Sequence, residues 1–295
     1  MHIGIDTSCY TTSVAAVSDG KIVFDERVML KVPKGSRGLR QSDAVFMHTR
    51  NLADIFKKVS LENVKSVSVS SRPRNVEGSY MPVFMSGVSA GKVAAAALGC
   101  KYSEFSHQQG HIMAGLYSAD CLNWRRKPYL AMHISGGTTE LLLVYGDKID
   151  IVGKTLDISA GQLIDRVGVH LGMEFPCGMY MQEAAKKRTK DISLPVSVKG
   201  LDINFSGAET QAMKMSESLE NIASALLGCI GESLAKVLQN AQRKFDVENV
   251  LMVGGVAANL QIRKLLSKKV KGISFASEKL SSDNAVGIAL LGSGI

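Results

Sequence analysis

The first thirty residues and the stretch 128–156 follow one plan, and that repetition constrains the fold more than any other feature of the chain. In the first copy, HIGID (2–6) alternates apolar residues, TSCYTT makes a polar turn and SVAAV (13–17) returns as a strand. SDG (18–20) then carries hairpin chemistry, and KIVFDERVML continues as a third strand. In the second copy, PYLAMHISGGTTELLLVYGDKIDIVGKTL (128–156) runs strand, Gly-Ser turn, strand, YGD turn, strand. The copies agree in organisation and hardly in identity, and helical patterns follow each. This predicts a duplicated α/β fold rather than one continuous Rossmann sheet.

The remaining periodicities fit that frame. Residues 42–58 predict a helix with Ala44, Val45, His48, Leu52, Ile55 and Phe56 on one face and Ser42 as its N-cap. VKSVSVSS (64–71) alternates as a strand, and VSAGKVAAAALG (88–99) reads as a packed helix of small residues. Helices are expected at 158–172, 178–188 and 220–245, followed by a buried strand, a Gly-Gly turn and a helix in NVLMVGGVAANLQIRKLL. The basic stretch NWRRKPY (123–129) divides the chain into lobes 1–127 and 128–295.

Composition narrows the classes further. With 295 residues, 45% apolar and 21% charged, the chain can bury two cores and is not of the disordered type. A formal charge of +8 admits a polyanionic partner without establishing one. The five cysteines Cys9, Cys100, Cys121, Cys177 and Cys229 are odd in number and show no C-x-x-C spacing, which argues against a disulfide framework and for a reducing cytoplasm. MHIGIDTSCY lacks signal-peptide character, and no run of about eighteen apolar residues predicts a membrane span.

Two features bear on chemistry. Glycine- or serine-rich turns occur at DTSCYTTS, SGGTTE (135–140) and GGVAAN (254–259). Each alone has a structural reading, because tight turns need glycine. Three at corresponding corners of a duplicated unit point to a nucleotide, held neither by a Walker loop nor by G-x-G-x-x-G, since both patterns are missing. The second feature is the pair His107 and His111 in FSHQQGHIMAGLYS (105–118). Four residues apart on a helix, the two imidazoles share a face and can serve one cation. Gln108 stands where a zinc protease has its glutamate, which disfavours proteolysis. His48 and His133 sit in apolar company and read as packed. A third ligand must come from afar. Asp283 in SSDNAVGIALLG (281–292) is the candidate, and on spacing alone it reads equally as a helix N-cap.

GIDTSCYTTSVAAV, HQQGH, ISGGTTELLLV, DISAGQLIDRVGVHLGMEFPCG, NFSGAET, LMVGGVAANLQIRKLL and SSDNAVGIALL occur in that order through nearly the whole chain. Together they resemble the universal tRNA threonylcarbamoyltransferase family, whose members were once labelled O-sialoglycoprotein endopeptidases. The resemblance implies the actin-like, sugar-kinase (ASKHA) fold of two duplicated ribonuclease H-like lobes with nucleotide between them. It implies one divalent metal, iron first, with zinc or magnesium as alternatives, on His107, His111 and Asp283. It implies nucleotide contacts at Ser135, Gly136 and Gly137, with Thr138 beside them, at Asp165 for the ribose, at Gly178, and at Asn259 on the purine side. The implied reaction moves a threonylcarbamoyl group from threonylcarbamoyl-adenylate to N6 of the tRNA adenosine next to the anticodon. Pathway partner proteins, one ATPase or kinase-like and one a dimerising homologue, come with it. No side-chain nucleophile is needed, and Cys9 reads as a small packed residue.

Four departures from the family pattern stand out. Tyr10 replaces an acidic residue after the first-turn cysteine, and Thr138 replaces a longer polar side chain in the Ser-Gly-Gly turn. SRPRNVEG brings Arg72 and Arg74 into a loop that the family keeps as Gly-Pro-Gly, and the chain is shorter by some tens of residues. Two guanidinium groups suit a carboxylate or phosphate. The leading expectation is therefore a metal-dependent carbamoyl-type transferase acting on tRNA. The alternatives are a divergent paralogue with another donor or acceptor, an ATP-cleaving enzyme, or a silent scaffold. A scaffold would not need the His107, His111 and Asp283 set.

Overall fold

The computed structural model describes residues 1–8, 10–32 and 39–295, so Cys9 and 33–38 lie outside the described residues. The chain forms two compact units, Met1–Asp120 with Ser282–Ile295, and Cys121–Ser281.

In the first unit, β1 (His2–Asp6), β2 (Thr11–Ser18) and β3 (Lys21–Met29) form an antiparallel meander. The β2–β3 turn places Asp19 at φ 49° and Gly20 at φ 73°, the left-handed pair that a two-residue hairpin requires. Helix α1 (Gln41–Phe56) leads to β4 (Ser66–Arg72), helix α2 (Phe84–Leu98) to β5 (Lys101–Ser106), and α3 (His107–Ser118) follows directly. β4 pairs parallel with both β1 and β5, giving the order β3-β2-β1-β4-β5.

The second unit repeats this. β6 (Tyr129–Ile134), β7 (Thr139–Tyr145) and β8 (Lys148–Lys154) form the meander. Next come α4 (Ala160–His170), α5 (Gly178–Ala185), the small hairpin β9 (Ser197–Lys199) and β10 (Asp202–Asn204), α6 (Ser206–Lys214) and α7 (Leu219–Phe245). β11 (Val250–Val253), α8 (Leu260–Lys269), β12 (Ile273–Phe275) and the short α9 (Glu278–Ser281) complete it. Read from β8, the sheet runs β8-β7-β6-β11-β12, with two antiparallel and then two parallel pairings, as in the first unit. α7 alone among the described residues is long and apolar enough to cross a membrane. Here it is a core helix that buries Ile222, Leu226, Ile230, Leu234 and Val237.

The last helix, α10 (Val286–Ser293), returns to the first unit. Strand alternation explains why it can. Ile3, Ile5, Val67 and Val69 fill the core on one face of the sheet. The opposite face carries small residues. A Cβ on Gly4 would collide with the Ala285 carbonyl and the Ala289 N–H, and one on Gly292 would collide with the Ser68 hydroxyl. Only a glycine- and serine-lined surface lets the helix backbone lie this close. The expected division at 127/128 thus misses the return of 282–295 to the first unit, because it is made by long-range packing and not by a local pattern. The strand β5, the β9–β10 hairpin and β12 were likewise not read from periodicity; β9, β10 and β12 are three residues each, too short to alternate visibly.

Candidate metal centre and nucleotide-binding turns

A capping box fixes where α3 begins. The Ser106 hydroxyl accepts from the Gln109 N–H at 3.1 Å, and Gln109 Oε1 accepts from the Ser106 N–H at 2.8 Å. The first helical residue is therefore His107, and His111 stands one turn on, its ring centroid 4.4 Å away. Gly110, between them, receives α10: a Cβ on Gly287 would run into the Gly110 carbonyl. The segment ahead of α10 is pinned by the Ala285 N–H donating to Ser13 Oγ at 2.9 Å and the Val286 N–H to Asn284 Oδ1 at 3.0 Å. Asn284 does the local turn work, and Asp283 does not act as the helix cap. Its Oδ1 lies 3.3 Å from His111 Nε2 and 3.5 Å from His107 Nε2.

Behind His107 stands a residue that the sequence reading passed over. Asp6, at the end of β1, is 1% exposed, and its Oδ2 lies 2.8 Å from His107 Nδ1. Its Oδ1 accepts from the Ser8 N–H at 2.8 Å and the Ser70 hydroxyl at 2.7 Å. The only signal in the sequence was an acid closing a strand just before a polar turn. Burial pushes the His107 imidazole down, yet the Asp6 and Asp283 carboxylates outweigh it and raise the group to about 10. His111 is pushed down by burial and by His107. Burial opposes ionisation of Asp6 and Asp283, but the histidine contacts prevail and hold both carboxyls below their usual range. The site is built to hold positive charge.

The donor set fits a divalent metal. One ligand atom from each of His107, His111 and Asp283 lies within 4.8 Å of the others. Ligands bound at about 2.0–2.2 Å stand roughly 3–3.5 Å apart, which matches the two imidazole–carboxylate separations. Two imidazoles and a carboxylate suit iron or zinc better than magnesium.

Arg72 ends β4 and is in register with Ser106, the residue before His107. Its guanidinium donates to Ser71 Oγ at 3.0 Å and Asn75 Oδ1 at 2.9 Å, both neutral. Arg74, also half-buried, donates its N–H to Ser79 Oγ at 3.0 Å. The Pro73 carbonyl between them accepts from the Gln108 N–H at 3.1 Å, tying this loop to the start of α3. Tyr10 is 36% exposed, and its backbone carbonyl accepts from the Leu30 N–H at 2.7 Å. His48 is fully buried beside Thr12 Oγ1, and His133 is buried too, as expected of packed histidines.

The expected nucleotide residues all fall in the second unit. The Ser135 N–H donates to the Thr138 carbonyl at 2.8 Å, closing a tight turn. Gly136 and Gly137 are exposed, and a Cβ on either would meet nothing within 4 Å. Crowding therefore does not explain these glycines, and the turn has open room beside its backbone. Gly161 is different, because its Cβ would strike Ser135 and Gly136. Its bareness brings the start of α4 against the turn, where Ser159 both caps the helix and donates to the Gly136 carbonyl at 2.7 Å. Asp165, farther along α4, accepts from the Cys177 N–H at 2.8 Å through Oδ1, and burial raises its pKa. Gly178 opens α5 with free space around it. A bond from the Leu260 N–H to Gln182 Oε1, 2.8 Å, ties α5 to the start of α8, which Asn259 caps through Oδ1 from the Gln261 and Ile262 N–H groups at 3.0 and 3.1 Å. The cap engages the Asn259 oxygen and not its NH₂.

The family model for TsaD, tRNA N6-adenosine threonylcarbamoyltransferase, matches residues 47–290. A tRNA N6-adenosine threonylcarbamoyltransferase of Thermosipho africanus is 29% identical over 98% of this chain and 92% of its own length. A probable bifunctional tRNA threonylcarbamoyladenosine biosynthesis protein of Methanocaldococcus jannaschii is 28% identical over 98% of this chain and 54% of its own. Among solved structures, (R)-2-hydroxyglutaryl-CoA dehydratase component A of Acidaminococcus fermentans superimposes with TM-score 0.60 at 16% identity, over 99% of this chain and 97% of that one. A ROK family protein of Streptococcus pneumoniae gives 0.58 at 13%, over 98% and 95%. These likenesses establish the fold, the two-lobed sugar-kinase and actin-like α/β architecture.

Proposed function

We infer from one fact, that this chain belongs to the tRNA N6-adenosine threonylcarbamoyltransferase family, the reaction it performs. It is a transferase of tRNA threonylcarbamoyladenosine synthesis. The N6 amine of a tRNA adenosine forms a bond to the carbonyl carbon of threonylcarbamoyl-adenylate, the bond from that carbon to the phosphate oxygen breaks, AMP departs and the amine gives up a proton. The donor is a mixed anhydride with a good leaving group, so holding and orienting suffice and no side-chain nucleophile is required.

The observation that supports metal dependence in this reading is the convergence of His107, His111 and Asp283 with Asp6 behind them. When bound there, a divalent ion, iron first and zinc or magnesium as alternatives, supplies Lewis acidity toward the donor's carboxylate and carbonyl. His107 and His111 contribute Nε2 and Asp283 contributes Oδ1. In the second unit, backbone N–H groups of Gly136, Gly137 and Thr138, in the turn that Ser135 closes, receive the phosphate, Asp165 accepts from the ribose hydroxyls, Gly178 permits close approach, and the Asn259 amide meets the purine. A charge of +8 favours the tRNA, and pathway proteins and a cytoplasmic setting complete the reading. His111→Ala should take metal from about one per chain to near zero by elemental analysis; retained metal would show the ligand assignment to be wrong.

Arg72 favours a second reading, a paralogue with an altered donor or acceptor. The loop that carries it is bonded to α3 through Pro73 and Gln108, and among the described residues its guanidinium hydrogen-bonds the neutral oxygens of Ser71 and Asn75. Arg74, Tyr10 and Thr138 are the other departures. This reading expects weak complementation of a strain lacking its threonylcarbamoyltransferase, with recovery on Arg72→Gly plus Arg74→Gly. Full complementation by the unaltered chain would remove it.

A further inference from the structure

We propose that Asp6 is a positioning residue for the metal centre, fixing His107 with its proton on Nδ1 and supplying the second negative charge that a divalent ion needs in this buried place. The proposal rests on the reading that His107, His111 and Asp283 hold a metal. Three observations carry it. Asp6 is 1% exposed, and both its oxygens are engaged: Oδ1 by the Ser8 N–H and the Ser70 hydroxyl, Oδ2 by His107 Nδ1 at 2.8 Å. An ionised carboxylate only accepts, so the proton of that bond sits on Nδ1. Nε2, on the other edge of the ring and facing Asp283, is then the nitrogen that presents its lone pair to a cation once its own proton is displaced. Asp6 lies across the imidazole from that edge and is not itself a ligand.

Charge balance gives the second role. Two neutral imidazoles, two carboxylates and a divalent cation sum to zero; without Asp6 the same buried group carries +1, and uncompensated buried charge is costly. Strand geometry places the residue. Asp6 ends β1 and Ser70 stands near the end of the neighbouring parallel strand β4, and the Ser70 hydroxyl holds the carboxylate in line.

Asp6→Asn is the informative change. Ser8 and Ser70 both donate to Oδ1, so the amide must keep its oxygen there and turn its NH₂ toward His107. Nδ1 is then forced to accept, and the proton moves to Nε2, where it competes with metal. In the full-length chain, chelator-competition titration with Zn²⁺ should show Asp6→Asn binding about 10- to 100-fold more weakly than the unaltered protein. Long-range ¹H–¹⁵N spectra should place the His107 proton on Nδ1 in the Zn²⁺-loaded unaltered protein and on Nε2 in the metal-free variant above the imidazole range. Ser70→Ala, which keeps the carboxylate, should weaken Zn²⁺ roughly several-fold. Unchanged Zn²⁺ affinity in Asp6→Asn, or a proton that stays on Nδ1, would overturn the proposal. Unaltered protein that binds no Zn²⁺ would instead overturn the metal reading, and this proposal with it.

Discussion

At the scale of single residues, carboxylates in this chain do their work by accepting N–H groups at chosen corners. Asp157 shows it outside the metal centre. It accepts from the Ile158 N–H at 2.7 Å, the Phe205 N–H at 2.9 Å and the Ser206 N–H at 3.0 Å, so it pins the approach to α4 against the start of α6. Burial opposes its charge, but these donors outweigh burial and lower its pKa. A depressed folded-state pKa means stability that is present above the unfolded value of about 3.9 and lost as pH falls through the acid range. Asp157→Asn should therefore lower Tm at neutral pH, and the gap to the unaltered protein should close as pH falls below about 4. A gap that is constant with pH would show that the charge is not what matters. The spacing Asp157, Gly161, Asp165 was visible in the sequence; that Asp157 faces three backbone donors was not, because two of them lie nearly fifty residues on.

Among elements, α3 and α10 of the first unit cross with their backbones close together. Gly110 and Gly287 meet there, and Gly4 lets α10 settle on β1. This crossing delivers Asp283 to the histidines. Gly287→Ala has backbone against it and no flexible side chain to yield, so it should destabilise the protein by about 1–3 kcal/mol. It should also weaken Zn²⁺ binding, because Asp283 rides just ahead of the displaced helix. Gly137→Ala, in open space, is the control and should leave Zn²⁺ affinity unchanged. If Gly287→Ala binds Zn²⁺ as tightly as the unaltered chain, α10 does not set the position of Asp283. The meanders, α1 and α7 were legible from alternation and helical period. The role of α10 was not, since a short run of small and apolar residues gives no sign of the sheet face it will cover. Asp6 escaped for the same reason: its partners Ser70 and His107 are brought to it by parallel pairing, which no local pattern records.

For the whole molecule, duplication was the strongest message of the sequence, and it explains why chemistry is divided between units. One unit carries the proposed cation site at the ends of β1 and β4 and the head of α3; the other carries glycine turns at the end of β6 and the head of α4. In both, ligand-facing groups collect at carboxyl ends of parallel strands, where open α/β sheets place their sites. The altered loop at Arg72 and Arg74 sits at the same end of the first sheet, so a change of specificity there need not disturb either core. The most direct measurement is nucleoside mass analysis after incubating the metal-loaded chain with unmodified tRNA, threonine, bicarbonate, ATP and a donor-forming enzyme, with the pathway proteins added. The account predicts an adenosine heavier by one threonylcarbamoyl group, absent with His111→Ala. Unmodified adenosine with the intact protein, or the same yield from His111→Ala, would contradict it.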